Sequence, residues 1–408
     1  MKLTKLEKQW ILYDVGNSAF ILMVSTIIPI YFNYLTELAN LSETQYLAYW
    51  GYAASVSTLI VALLGPIMGT ITDRKNYKKP FFLAFLVIGT FSCALLGFCS
   101  QWLLFLIIFI FAKFSYSISL IFYDSMLTDV STIERMDMVS SQGFAWGYIG
   151  SCIPFVLSLI FVLGYEALEI SFSSAIIIAF LLIALWWLFF SFPLLKKYKQ
   201  VYFSNQESSL LTDSFGKLWN TLKHIRQEKH VCFFLISFFF YIDGVYTIME
   251  MATSYGKSLG LTSSSLLLAL LTTQIVAFPC SIIFGYLSQK FPTEKLITLC
   301  ITAYLLIALF SLQLDSQLEF WFLAICVGMF QGGIQALSRS YFAKIIPPEK
   351  SGEYFGILDI FGKGASFLGT MLVSATTQLS GSTSLGVGSI VIIFAIGLFF
   401  FRKAAHAI

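Results

Sequence analysis

Apolar residues run in long blocks along this chain, separated by short clusters rich in Pro, Gly and charge. Breaking the sequence at those clusters leaves twelve blocks, near 10–34, 46–72, 80–99, 102–127, 139–163, 170–193, 230–255, 263–288, 294–312, 318–343, 353–378 and 385–402. Each holds about 20 residues or more, and at ~1.5 Å rise per residue that length matches a ~30 Å hydrocarbon core. The predicted state is helix, because lipid offers no partner to backbone N–H and C=O groups and a helix satisfies them internally.

The polar stretch 194–228 is longer than the others and divides the chain near its middle. Within it Leu211, Phe215, Leu218, Trp219, Leu222 and Ile225 recur at helical spacing, with Lys217, Lys223 and Arg226 on other faces. This pattern predicts an amphipathic helix on the inner leaflet, the alternative being a linker with accidental periodicity. The expected organisation is a six-helix bundle over 1–193, a cytoplasmic linker over 194–229 and a second six-helix bundle over 230–408.

Composition agrees with a membrane solvent. Hydrophobic residues make up 58% and charged residues 12%, against roughly 45–50% and about 25% in soluble globular chains. So little charge cannot cover a water-facing surface, and a net charge of +3 gives no reason to expect a nucleic-acid partner. Lys2, Lys5 and Lys8 precede the first apolar block, which reads as a retained helix rather than a cleaved signal. The seven cysteines lie mostly within apolar segments without a C-x-x-C pair, as packing residues do. The three histidines, His224, His230 and His406, show no metal-ligand spacing, so neither catalysis nor a metal or other cofactor is expected. All of the 25 Lys and Arg except Lys113, Lys257 and Lys363 fall on one side of the twelve-block scheme. Glu37, Glu43, Glu166, Glu169, Asp315 and Glu319 fall on the other, which predicts that both termini are cytoplasmic.

The halves echo each other. Gly69 and Asp73 correspond to Gly285 and Gln289, 216 positions later, while Glu134, Arg135 and Gly147 correspond to Glu349, Lys350 and Gly362, 215 positions later. Agreement of two separate anchors within one residue argues for duplication, an architecture known among transporters. G-x-x-x-G pairs at Gly65 and Gly69, Gly143 and Gly147, and Gly352 and Gly356 predict close, sliding contacts between the halves.

The residues from Gly69 through Asp73, Arg74 and Asn76 to Lys79 (GTITDRKNYKK) resemble the G-x-x-x-D-R-x-G-R-K loop of the major facilitator superfamily. Asn76 stands where that loop has Gly, and Asn tolerates a left-handed backbone better than most residues. Four further segments resemble the vacuole-effluxer family, whose fungal members are associated with amino-acid release from the vacuole and which has many bacterial relatives. They are Trp10 to Phe20 (WILYDVGNSAF), Tyr241 to Ile248 (YIDGVYTI), Gly332 to Ser340 (GGIQALSRS), and Glu353 to Gly356 with Gly362 and Lys363. The resemblance implies the major facilitator fold, twelve membrane helices in two pseudo-symmetric bundles, placed here in a bacterial plasma membrane. It also implies that Asp73 with Arg74 belongs to a cytoplasmic gate, and that the first and fourth helices of each half line a central cavity.

A charge at a helix centre costs roughly 2.5–3.5 kcal/mol on insertion scales, so polar residues within the blocks carry meaning. Asp14, Asn17 and Ser18 share a face of the first block; Lys113, Ser117 and Asp124 do so in the fourth, Asp243, Thr247 and Glu250 in the seventh, and Gln331, Gln335 and Arg339 in the tenth. Lys113, Asp243 and Gln331 fall nearest the midplane and are the first candidates for solute contact, with Asn17, Ser117, Thr247 and Gln335 beside them. Lys113 suits a solute carboxylate; Asp243 or Glu250 suits an ammonium group or a proton, and Asp14 a proton or a gate. The alternative is that Lys113 and Asp243 neutralise one another. Asp124, Glu134, Arg135 and Arg339 read as gate residues, and so do Asp359 and Lys363, an i, i+4 pair whose other readings are a structural pair or an extension into the cavity.

No ATP-binding loop of the G-x-x-x-x-G-K-[ST] type occurs, so the sequence reads as a secondary carrier. The expectation is a monomer moving a small polar or zwitterionic solute, an amino acid with export favoured, coupled to protons or another ion and surrounded by lipid. Drug or metabolite efflux and lipid flipping are the alternatives on the same scaffold.

Overall fold

A computed structural model describes residues 2–204 and 212–407. Among these, twelve helices are long and apolar enough to cross a bilayer. Spans 1 to 6 are Lys5–Leu38, Glu43–Thr72, Lys78–Leu96, Trp102–Val130, Met136–Leu163 and Phe172–Lys197. Spans 7 to 12 are Lys229–Ala252, Ser264–Leu287, Thr293–Gln313, Gln317–Ile345, Pro348–Ser380 and Ser384–His406. All twelve predicted blocks are present, most of them lengthened by about a turn into polar flanks that capping makes helical. Thr4 with Glu7, Ser42 with Gln45 and Ser316 with Glu319 form reciprocal capping boxes at the starts of spans 1, 2 and 10. Each side chain satisfies backbone N–H groups that the first turn leaves unpaired.

The helices form two six-helix bundles with the same internal contacts. Span 1 packs on spans 5 and 6 and span 3 on spans 4 and 6; correspondingly, span 7 packs on spans 11 and 12 and span 9 on spans 10 and 12. The register is that of the sequence repeat: residues 78 and 293, 102 and 317, and 130 and 345 are equivalent span ends, each 215 apart. Stacked aromatics fill both bundles, as with Trp10 on Tyr123 at 4.4 Å and Tyr304 on Phe394 at 5.5 Å. Phe91, Phe189 and Phe322 project outward, more than half exposed, where lipid rather than water is the natural solvent.

The bundles touch through spans 2 and 11, 5 and 8, 5 and 10, and 4 and 11. The closest approach lies at the end of the molecule where span 1 begins, span 12 ends and the connections 72–78, 130–136 and 197–229 run, here called the basic end. There the glycine pair of span 2 meets the glycine pair of span 11. A Cβ at Gly69 would overlap the carbonyl of Gly352, and one at Gly356 would lie 2.6 Å from Pro66 Cα. Gly143 and Gly147, expected at a sliding contact between halves, instead seat span 1 of their own half, facing Asp14 and Ser18. Of that pair only Gly143 also touches the second half, at Arg339.

Asn76 has φ +65°, the left-handed turn that its place in the loop required. The linker carries a helix over Thr212–Gln227 that packs on spans 2 and 7. Its apolar positions diverge: Ile225 is buried against the bundles while Trp219 and Leu222 face outward. Leu211 and the side chains of Phe215 and Lys217 lie outside the described residues.

Gly69→Ala or Gly352→Ala should cost about 1–3 kcal/mol of basic-end closure through overpacking. Deuterium uptake in peptides covering 65–75 and 348–358 should rise above that of the unmodified protein, and unchanged uptake would contradict this packing.

Candidate solute passage and gate

Arg339, near the end of span 10, is the centre of the basic-end contact. It is 6% exposed and reaches from the second half into the first, pairing with Asp14 of span 1 at 3.1 Å and Asp124 of span 4 at 3.0 Å. Its Nε donates to Ser140 Oγ at 2.9 Å and Nη2 to the Ser140 carbonyl at 3.1 Å. The guanidinium lies over Phe144 at 4.3 Å and Trp10 at 4.6 Å. Only a planar fork of donors engages two carboxylates and a serine while stacking on rings. Trp10 sits one turn before Asp14, and its indole donates to the Tyr123 carbonyl while Tyr123 Oη donates to the Trp10 carbonyl. That exchange locks spans 1 and 4 together and places both carboxylates where the guanidinium arrives. Asn17 completes the support, buried and donating to the Tyr13 carbonyl at 3.0 Å and to Asp14 at 3.4 Å.

Two further clamps flank this centre and are equivalent under the repeat. In the first, the fully buried Lys78 at the start of span 3 donates to Asp129 of span 4 at 3.2 Å and to Ser351 at the start of span 11 at 3.0 Å. In the second, Asp137 at the start of span 5 accepts from Thr293 of span 9 at 2.6 Å, from Ser340 of span 10 at 2.6 Å and from Lys344 of span 10. Lys78 and Thr293, and likewise Asp129 and Lys344, are 215 positions apart. Asp73 caps the start of span 11, accepting from the N–H of Gly352 at 2.7 Å and of Glu353 at 2.9 Å, as an anion does at a helix N-terminus. Asp129 also accepts the N–H groups of Val201 and Tyr202 and the Tyr198 hydroxyl, tying the linker to the clamp. Burial, then the Asp129 charge, pushes the Tyr198 phenol well above its ordinary value and keeps it a donor.

Sequence reasoning placed Asp73, Asp124 and Arg339 at an interface of this kind, and it missed Lys78, Asp129, Asp137, Ser140 and Lys344. The available signal was opposite charge at repeat-equivalent positions near span ends: Asp124 with Arg339, and Asp129 with Lys344. Arg74 flanks Asp73 and lines a cleft with Lys350 and Glu353. Arg135 pairs at 2.6 Å with Glu7 of the same bundle, and Glu134 is exposed.

Above the gate the charged residues separate into two kinds. Lys113 of span 4 is half-buried and, among the described residues, makes no hydrogen bond or ion pair. Glu250 of span 7 is exposed although it lies within a span, and it too has no direct partner among them. Lys363 is held by Asp359 one turn earlier, at 2.5 and 2.6 Å to its two oxygens, and both remain partly exposed. Gln335 accepts from Tyr148 Oη at 2.6 Å across the halves, and Gln331 is buried one turn away.

Asp243 belongs to the second kind. It is fully buried between spans 7 and 11, where Oδ1 accepts from the Gly369 N–H at 3.0 Å and from Thr247 Oγ1 at 3.4 Å. Its Oδ2 has no partner among the described residues. The alternative reading, that Asp243 neutralises Lys113, has no such contact among the described residues, because Asp243 and Thr247 face the interior of their own bundle. Ser117 is also buried rather than open to the passage.

The chain matches the family model described as "Vacuole effluxer Atg22 like" over residues 38–132 and 128–405. It is 42% identical over 402 residues to the uncharacterized MFS-type transporter YxiO of Bacillus subtilis, covering 97% of this chain and 94% of that protein. Autophagy-related protein 22 of Kluyveromyces lactis is 24% identical over 368 residues, covering 80% of this chain and 73% of that one. Among solved structures, the major facilitator transporter FucP in its outward conformation aligns with a TM-score of 0.75 over 98% of this chain and 97% of its own, at 14% identity. A bacterial homologue of the iron transporter ferroportin aligns with a TM-score of 0.67 over 98% of each, at 11% identity. With twelve spans in two equivalent bundles and a family match across nearly its whole length, this chain belongs to the vacuole effluxer Atg22-like family and is a membrane transporter of the major facilitator superfamily, not an enzyme.

Proposed function

We propose that this transporter carries a small zwitterionic solute, an amino acid with export favoured, by proton-coupled alternating access. The observation that carries this reading is a pair of opposite charges on different halves, Lys113 and Glu250, each without a hydrogen-bonded or ion-paired partner among the described residues. A cation and an anion held within a membrane span without direct partners are costly unless water or a ligand meets them. A zwitterion satisfies both at once, its carboxylate at Lys113 and its ammonium at Glu250. The earlier expectation gave the ammonium to Asp243 or Glu250, and the burial of Asp243 favours Glu250.

Asp243 suits proton coupling. A carboxyl buried with one oxygen unpartnered favours its neutral form, and it gains a charge only if spans 7 and 11 shift enough to admit water. It lies one turn and a further turn from Thr247 and Glu250 on the same helix, so solute at Glu250 and proton at Asp243 act on one rigid element. The gate built on Arg339, Asp14, Asp124 and Asp73 closes the basic end. With the positive-inside bias that end is cytoplasmic, along with both termini, and the passage opens outward across a bacterial plasma membrane. The bundles 1–193 and 230–408 then rock about the solute as a monomer, joined by the linker 194–229.

Purified protein in liposomes should take up or release labelled amino acids under an imposed pH gradient. Lys113→Gln and Glu250→Gln should each lower kcat/KM by about tenfold or more, since each removes a charged contact worth ~1.5–3 kcal/mol. Failure of an amino-acid panel alongside translocation of a lipid probe would instead favour flipping. Asp243→Asn should keep solute counterflow while losing the response to the pH gradient; retained coupling would remove Asp243 from the proton path. Arg339→Gln strands Asp14 at the interface and should cost ~3–5 kcal/mol, measured as a lowered Tm, with Arg339→Lys recovering only part because it lacks the planar fork.

A further inference from the structure

Spans 9 and 12 pack together in the second bundle, away from spans 2, 4, 5, 8, 10 and 11, which join the halves. Between them runs a groove of about 310 Å³, walled by Leu305 of span 9 and by Ala395, Leu398 and Phe399 of span 12. Ala395 and Phe399 are exposed, so the groove opens on the outer side of the bundle, where lipid is the solvent. Toward the basic end its lining changes from hydrocarbon to Arg402, Lys403 and His406. Positions 395, 398, 399, 402, 403 and 406 form one stripe of the helix. Eleven positions separate Ala395 from His406, a rise of ~16 Å, which is about half of a ~30 Å hydrocarbon core. The groove therefore has the depth of a single leaflet.

The side chains of Arg402, Lys403 and His406 make no hydrogen bond or ion pair among the described residues, and no acid lines the groove. Lys403 lies over the ring of Phe399, one turn deeper, at 4.5 Å, and over that of Phe233 of span 7 at 5.9 Å. A lysine that sought water alone would extend outward from the span end; this one folds back along the groove. Cations in a last turn also suit the negative end of the helix dipole. That attraction acts on any side of the helix and does not call for an apolar channel beneath them.

We propose that this groove binds one anionic phospholipid of the basic-end leaflet. Its acyl chain lies along Leu305, Ala395, Leu398 and Phe399, and its phosphate meets Arg402, Lys403 and His406. The guanidinium and ammonium supply charge-assisted hydrogen bonds to the phosphate oxygens, and the imidazole supplies an N–H donor. A zwitterionic lipid brings a cation of its own to this place, and the protein's cations repel it. Charge thus sets the choice of lipid, while the chain braces spans 9 and 12 from outside whatever solute the passage carries.

The test uses full-length protein in neutral detergent micelles supplied with dioleoylphosphatidylglycerol, dioleoylphosphatidylcholine or glycerol 3-phosphate, a headgroup without chains. Binding is read by native mass spectrometry and as the rise in Tm, since a ligand of the folded state alone stabilises that state. Phosphatidylglycerol should bind at least about tenfold more tightly than phosphatidylcholine, and glycerol 3-phosphate far more weakly than either. Arg402→Gln with Lys403→Gln should weaken phosphatidylglycerol about thirtyfold and leave phosphatidylcholine unchanged. Lys196→Gln with Lys197→Gln removes the same charge from the end of span 6 and should change neither. Ala395→Phe fills the deep end of the groove and should weaken both lipids with the cations intact. Each comparison is between ligands of one variant, so a variant with a lower Tm remains informative. Equal binding of the two lipids by the unmodified protein, or equal losses from the two double substitutions, would reduce these cations to a diffuse basic rim and overturn the site. Undiminished phosphatidylglycerol binding by Ala395→Phe, or glycerol 3-phosphate binding as tight as the lipid's, would remove the chain from the groove and overturn it equally.

Discussion

Arg339 is a permanent cation placed where two bundles meet, and most of the closed conformation follows from the need to pair it. Burying an ion costs several kcal/mol unless partners replace its water. The partners of Arg339 all come from the other half: Asp14, Asp124 and Ser140, with Trp10 and Phe144 against its faces. The pairing therefore exists only while the bundles are together. When they part, water has to enter and solvate three charges in one event. Such a contact has two comfortable states and a costly middle, which is what a gate requires.

Duplication explains why the charges have these signs. In a molecule of two equivalent halves, residues near the pseudo-symmetry axis face their own counterparts, and identical charges there would repel. At equivalent positions this chain carries Asp124 and Arg339, and Asp129 and Lys344. The first couple pairs directly across the interface at 3.0 Å. The members of the second couple do not pair with each other but sit one in each flanking clamp: Asp129 holds Lys78, which reaches Ser351 at the start of span 11, and Lys344 reaches Asp137 at the start of span 5. Inverting the sign in one copy turned a duplicated repulsion into an attraction. The linker joins the same network through Val201, Tyr202 and Tyr198 on Asp129, so the connection between halves is fastened at the place where they separate.

Between gate and passage the governing quantity is access to water. Asp243 and Glu250 share one face of span 7, yet the first is fully buried against Gly369 and the second is exposed. Seven residues along one helix separate a fully buried carboxyl from an exposed one. The difference lies in what stands opposite: the backbone of span 11 in one case, open space in the other.

The sequence by itself determined the membrane solvent, the twelve spans, the repeat and its register, because each depends on composition and spacing along one dimension. It also marked Asp73, Asp124 and Arg339, since charges near the ends of apolar helices need partners, and Asn76, whose left-handed turn is a local property. It could not decide partners. Asp14 and Lys113 are equally polar interruptions of apolar helices, yet one is bound by a guanidinium 325 positions away and the other has no ion pair or hydrogen bond among the described residues. Arg135 and Lys78 both sit at the start of a span, yet Arg135 pairs with Glu7 of its own bundle while Lys78 reaches Ser351 of the other half. Which charge meets which is set by packing two bundles against each other, a three-dimensional condition that periodicity along a single helix does not contain.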